Sequence, residues 1–376
     1  MQRLTRIKQN GLAQVVYPGA QHTRFQHSLG AFHLMSEAIL SLQQKGIFIF
    51  DSEAEAVEAA ILMHDIGHGP FSHVLENTLI SGISHEEISL LMMEQINQEM
   101  KGELNLALKI FKDEYPKRFL HQLISSQLDM DRLDYLRRDS FFTGVAEGSI
   151  GSARIIKMLD VVDDQLVVDS KCIYSIENYL TSRRLMYWQV YLHKTAVGYE
   201  KVLINLLKRA KQLAHQGKEL FCTPPLRYFL YNEVDSDFFN THEEALRMYE
   251  MLDDNDIWSS VKVWTSDEDK ILSLLATDFV NRQLFKVEVH DEPISEEEQI
   301  AIQQKLAKEA NISFEDAKYL MSVNTIQKDM YDVNDEKIGI LFKDGTIKDI
   351  AEASDLLNIA LLSKKIRKYY LCYQRF

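Results

Sequence analysis

Apolar residues recur along most of this chain at helical spacing. From His27 to Lys45, Leu29, Phe32, Met35, Ile39 and Leu42 fall three or four apart, and Gly46 stops the run. Ser52 with Glu55 forms a capping-box pattern opening AEAVEAAILMHDIGH, a helix that Gly67, Gly69 and Pro70 terminate. Ser84 with Glu87 repeats the pattern ahead of Ile88, Leu91, Met92 and Ile96. Pro116 predicts the start of a long helix running through LDMDRLDYLRRDS, and DVVDDQLVVDS reads as a short hairpin. A further long helix is expected over Ile176 to Ala214, then an interruption at Pro224 and Pro225, then a helix over Glu243 to Leu252.

After residue 283 the pattern changes. FKVEVH alternates like a strand, Ser295 to Asn311 and SFEDAKYLM read as helices, and IGILFKDGTIKDI surrounds an Asp344-Gly345 turn with strand formers. YYLCY reads as a last strand. The expected fold is mostly α: a helical core over 1–160, a helical extension over 161–283 completing it, and a smaller α+β unit over 284–376.

Composition narrows the class. At 376 residues with 46% hydrophobic and 26% charged residues, the chain can bury a sizeable core. Its first residues lack an apolar leader, and runs such as Ala59 to Met63 fall far short of the ~20 residues of a membrane span. Cys172, Cys222 and Cys372 are odd in number and widely spaced, which points to free thiols in a reducing cytoplasm. A net charge of −14 disfavours nucleic-acid binding. Residues 1–30 nevertheless carry Arg3, Arg6, Lys8 and Arg24 and no acid, a basic patch able to focus a small anionic ligand.

The chemistry concentrates in MHDIGHGPFSH, residues 63–73. His64 and Asp65 are adjacent at the end of an apolar helix, and imidazole with carboxylate suits a divalent ion such as Mn, Mg, Fe, Ni or Zn. Further ligands are available at His27 in HTRFQHSLG and Asp131 in LDMDRLDYLRRD. Asp131, Tyr135 and Asp139, spaced four apart, fall on one helical stripe. Asp129 and Asp134 read as helix-surface or supporting groups, and His33 as packing or surface.

His27, the His64-Asp65 doublet and Asp131 resemble the H…HD…D signature of HD-domain metal-dependent phosphohydrolases. YPGAQHTRFQHSLG, HDIGHGPFSHVLE and LDMDRLDYLRRD look like the deoxynucleoside triphosphate triphosphohydrolase branch, which includes bacterial dGTPases and the mammalian SAM- and HD-domain dNTP hydrolase. The resemblance covers residues 1–200 well. It implies metal ligands at His27, His64, Asp65 and Asp131. It implies a catalytic histidine and acid at His73 and Glu76, with His68 and His85 supporting them near the phosphates. Arg24 matches the phosphate-contacting arginine, and Arg132 stands at a substrate-binding position where relatives have a lysine or arginine. Gln9, Tyr135 and Asp139 match sugar-contacting groups, and His193 and Lys194 a segment that helps hold the triphosphate. Where some relatives hold the triphosphate with an arginine, Gln189 stands here. Relatives also carry a segment ahead of QRL; with Met1 directly before Gln2, the expectation here is that the segment is absent or the start is misassigned.

The reaction implied is cleavage of a dNTP, dGTP among them, to deoxynucleoside and triphosphate, in a nucleotide-activated homo-oligomer (dimer or tetramer) of the cytoplasm. Two other readings stand beside it: an HD phosphohydrolase of another nucleotide or phosphate ester, and a catalytically weak nucleotide-sensing module.

Overall fold

The computed structural model describes residues 1–71, 74–76, 78–328, 337–354 and 366–376. Helices dominate them. The first part contains α1 (Arg24–Gln44), α2 (Asp51–Met63), α3 (His85–Glu99), α4 (Asn105–Phe111), α5 (Arg118–Ile124), α6 (Met130–Thr143) and α7 (Ser152–Met158). Then come α8 (Ile173–Met186), α9 (Lys194–His215), α10 (Pro224–Tyr231), α11 (Ser236–Thr241), α12 (Glu243–Met251), α13 (Asp254–Trp264) and α14 (Lys270–Val280). A 15-residue α15 (Glu296–Ala310) and a short α16 (Ile350–Ala353) follow among the described residues. The mostly helical fold expected from the periodicity is the one observed.

Among the described residues seven strands lie between the helices: β1 (Leu159–Val162), β2 (Gln165–Asp169), β3 (Lys286–His290), β4 (Met321–Lys328), β5 (Gly339–Leu341), β6 (Ile347–Asp349) and β7 (Ile366–Tyr373). One sheet runs β3-β7-β4, antiparallel throughout, with Leu371 opposite Glu288 and Val323. The other runs β1-β2-β5-β6, and β5 lies parallel to β2 with Ile340 opposite Val168. The Asp344-Gly345 hairpin therefore extends a sheet begun before residue 170. No helix among the described residues is long and apolar enough to cross a membrane.

Four expected helices differ in detail; SFEDAKYLM forms only a 3₁₀ turn, Asp316–Leu320, before β4 begins at Met321. The long helix after Pro116 is two, α5 and α6, because Asp129 takes the N-cap position and accepts the N–H of Arg132 at 2.7 Å and of Ser126 at 2.8 Å. The Ile176–Ala214 helix is interrupted: Tyr187–Tyr191 forms a π-helical turn, and His193 then caps α9, its Nδ1 accepting the Thr195 N–H. At α2 the cap sits two residues earlier than Ser52-Glu55 and runs one way only, with Glu53 Oε2 accepting the Phe50 N–H at 2.9 Å. The Ser84-Glu87 box forms as expected.

The core that positions the site is the packing of α1 against α2 and α6. Met35, Ala38 and Leu42 of α1, Val57, Ala60 and Ile61 of α2, and Met130, Leu133 and Leu136 of α6 are fully buried. Each large side chain among them contributes about 1.5–3 kcal/mol of burial free energy. That packing brings three helix ends together: the first turn of α1 with His27, the residue capping the C-terminus of α2, which is His64, and the first turn of α6 with Asp131.

Candidate metal and nucleotide site

His27, His64 and Asp131 place one nitrogen or oxygen each within 4.8 Å of one another. His27 Nε2 lies 3.0 Å from Asp131 Oδ1 and 3.3 Å from His64 Nε2, and His64 Nε2 lies 3.4 Å from the same carboxylate oxygen. Asp65 borders the group, its Oδ1 3.4 Å from His64 Nε2 and its Oδ2 3.7 Å from His27 Nε2. Asp65 also pairs with Arg24, whose Nη1 donates to Oδ2 at 2.6 Å.

The protons on the two imidazoles are fixed from behind. His27 Nδ1 lies 2.8 Å from Asp134 Oδ2, and His64 Nδ1 lies 2.6 Å from the carbonyl oxygen of Ile61. Carbonyl and carboxylate oxygens only accept, so both Nδ1 atoms carry hydrogen, and in the neutral rings both Nε2 lone pairs point at each other and at Asp131. Such an all-acceptor cluster requires a cation. Protonation meets that requirement in part: burial opposes charge on His27, yet hydrogen bonds to Asp131 and Asp134 push it up to about 10. His64 is also raised, by Asp65 and Asp131 against burial. Asp131 is driven well below the usual carboxylate range, burial being outweighed by hydrogen bonds from His27 and His64. The field that favours a proton here favours a divalent cation equally, and imidazole with carboxylate is an apt donor set for one.

Beside this cluster opens a cavity of about 570 Å³, within the size range of small-molecule sites. Gln9, Arg24, His68, Arg132, Tyr135 and Asp139 line it, together with Asp65, His85 and Asp131. The cavity wall is anchored by a chain of polar contacts. Asp139 is gripped on both oxygens, 2.7 Å from His22 Nε2 and 2.7 Å from the Tyr191 hydroxyl that donates to it. Arg132 pairs with the fully buried Asp129.

A second histidine group sits at the other side of Asp65. The His68 and His85 rings lie 3.8 Å apart. Burial and the Arg24 charge bring His68 down to about 3, so it is neutral at ordinary pH. His85 goes the other way: burial is outweighed by hydrogen bonds with Glu76 (2.9 Å) and Glu86 (3.1 Å), which raise it to about 9. His73 lies outside the described residues. His193 and Lys194 do not line the cavity: His193 is spent capping α9, and Lys194 is exposed. Gln189 is likewise absent from the lining and offers its backbone carbonyl to the Tyr17 hydroxyl.

Several contributors were not singled out from sequence. Asp134, read there as a helix-surface or supporting residue, is buried and holds both His27 and Arg138. His22 holds Asp139. Glu86 shares His85. Arg183 of α8, mostly buried, donates to Gln127 at 3.1 Å and lies within electrostatic reach of Arg132 and Tyr135. A glycine signals the Asp134 contact: a Cβ on Gly30 of α1 would sit 2.0 Å from Asp134 Oδ1 and 2.1 Å from Arg138 Nη2.

Comparison with known proteins agrees with this geometry. Residues 24–139 match the HD domain and residues 150–220 the HD associated region. The uncharacterized protein YwfO of Bacillus subtilis is 32% identical over 100% of this chain and 86% of its own length. The SAMHD1 homolog of Dictyostelium discoideum, a deoxynucleoside triphosphate triphosphohydrolase, is 28% identical over 70% of this chain and 52% of its own length. The crystal structure of a phosphohydrolase from Bacteroides thetaiotaomicron superposes with a TM-score of 0.97 at 66% identity, covering 100% of this chain and 93% of that one. The histidine and aspartate doublet at the end of α2, its partners on α1 and α6 and these likenesses identify the chain as a member of the HD-domain family of hydrolases.

Proposed function

We propose that this protein hydrolyses deoxynucleoside triphosphates to deoxynucleoside and inorganic triphosphate, with a divalent ion held by His27, His64, Asp65 and Asp131. The observation that carries the reading is the pair of imidazole lone pairs turned toward Asp131 at the edge of a nucleotide-sized cavity. The dNTP substrate is supported by the triphosphohydrolases among the relatives and by two arginines, Arg24 and Arg132, that line the cavity beside the metal group.

A divalent ion bound there supplies Lewis acidity to a phosphoryl oxygen and a more acidic water. The remaining work falls to the chain. Arg24 and Arg132 offset phosphate charge, which increases on the way to the transition state. Water oxygen bonds the α-phosphorus, the bond to the sugar oxygen O5′ breaks, and O5′ leaves with a proton. His73 with Glu76 is the proposed source of that proton. The cationic His85, held by Glu76 and Glu86, adds positive charge to the phosphate end, while neutral His68 can accept or donate a hydrogen bond there. Tyr135 and Asp139 face the sugar, with Gln9 on the opposite wall. The native assembly proposed is a homo-oligomer regulated by nucleotides, in the cytoplasm.

Product analysis tests the reading. With Mn or Mg present, each dNTP should yield deoxynucleoside and intact triphosphate in equal amounts. Release of orthophosphate, or turnover restricted to monophosphates or cyclic nucleotides, would assign the site to another phosphate ester. Retained nucleotide binding without turnover would make it a sensor.

A further inference from the structure

Asp254, the first residue of α13, is a buried carboxylate (5% exposed) that the proposed chemistry does not use. It does not cap its own helix. That position belongs to Asp253, which accepts the Asn255 N–H at 2.9 Å and pairs with Arg6. The two oxygens of Asp254 instead point outward to two separate segments: Oδ2 accepts the Lys8 N–H and Oδ1 the Phe71 N–H, both at 2.9 Å. Lys8 immediately precedes Gln9 and Asn10, which line one wall of the cavity. Phe71 lines it too, three residues beyond His68 and five before Glu76.

The two segments meet closely and under strain. A Cβ on Gly11 would come 3.1 Å from the Phe71 carbonyl oxygen, and Phe71 itself has φ +54°, in the left-handed region a phenylalanine disfavours. A backbone held in that region persists only where its surroundings fix it. The Phe71 N–H bond to Asp254 is such a restraint. Burial pushes the Asp254 carboxyl up to about 6, with the two backbone donors opposing.

Resting on the hydrolase reading above, we propose that Asp254 is a positioning residue. It pins the wall carrying Gln9 to the loop carrying His68 and Glu76, so that both sides close on one substrate. Asparagine at this position keeps size and one acceptor but turns an NH₂ toward the other donor, releasing one segment.

The test compares full-length D254N and D253N, loaded with Mn. D254N should lower kcat for dNTP hydrolysis by at least tenfold, since misplacement by about 1 Å costs on the order of 100-fold. Bound Mn should stay at the wild-type level, and amide exchange should accelerate selectively in peptides containing Lys8 or Phe71. D253N, which keeps a capping oxygen for α13 but discharges the pair with Arg6, should lower Tm while keeping kcat within twofold. An unchanged kcat in D254N, or an equal kcat loss in D253N at matched Tm, overturns the proposal. If the wild-type protein turns over no dNTP, the hydrolase reading fails on its own. The exchange measurement then still decides the clamp, because unaltered protection of both segments in D254N overturns it.

Discussion

His27 and Asp134 form a buried pair, Nδ1 to Oδ2 at 2.8 Å, that fixes which imidazole nitrogen carries the lone pair facing Asp131. Such partners behind a ligand commonly govern metal affinity by about 10–100-fold. Asp134→Asn is therefore expected to weaken Mn binding by that factor, read by titration calorimetry, with the helical circular dichroism unchanged. Wild-type affinity in this variant would mean that ring orientation is set by packing alone. Gly30→Ala should act in the same direction, because its Cβ would displace the Asp134 and Arg138 side chains.

Removing the cation, or the group that holds it, should separate binding from folding. Asp131→Ala is expected to abolish Mn occupancy and hydrolysis while the protein stays folded, since the Asp131 side chain is 27% exposed. Chelation of the wild type should lower Tm, and Mn restored at 100 times its Kd should return about 2.7 kcal/mol. A Tm of the wild type that ignores chelator would argue against a site formed by His27, His64 and Asp131.

Gly67 is a steric requirement. A Cβ there would fall 2.3 Å from both the His85 carbonyl oxygen and the Ser89 backbone nitrogen, atoms that cannot rotate away. Gly67→Ala should destabilise by about 1–3 kcal/mol in urea unfolding, the usual effect of overpacking. It should also part the His68 and His85 rings, lowering kcat more than the loss of folded protein accounts for.

The pH response should carry the signature of His85. Its folded value of about 9 exceeds the ordinary value of ~6.5, so the stability it contributes is complete below ~6.5 and is lost as pH rises through about 9. Denaturant midpoints measured from pH 6 to 10 should fall across that window in the wild type and less steeply in His85→Gln. Activity limited by the His85 charge should lose its alkaline limb in the same variant. Parallel slopes for the two proteins would remove His85 from both roles.

The convergence of His27, His64 and Asp131 was legible in the sequence because the motifs that flank them are long and resemble those of a known family. The supporting groups were harder to read. Tyr191 and Asp254 reach the cavity or its walls from elements far along the chain, and only the tertiary packing brings them there. Asp129 could have been found: an aspartate directly before a run with an acid in its first turn is a helix start, and recognising it would have split the expected long helix correctly. The interruption at Tyr187–Tyr191 had no such signal, since every residue in YWQVY tolerates an ordinary helix.

The parallel pairing of β5 with β2 bears on how the protein can be dissected. A chain ended at residue 328 would keep every group of the metal cluster yet strip β2 of one neighbour, baring the edge beside Val167 and Val168. Unguarded edges of that kind recruit other chains. Truncations meant to isolate the hydrolase half should accordingly stop being monodisperse before they stop binding metal.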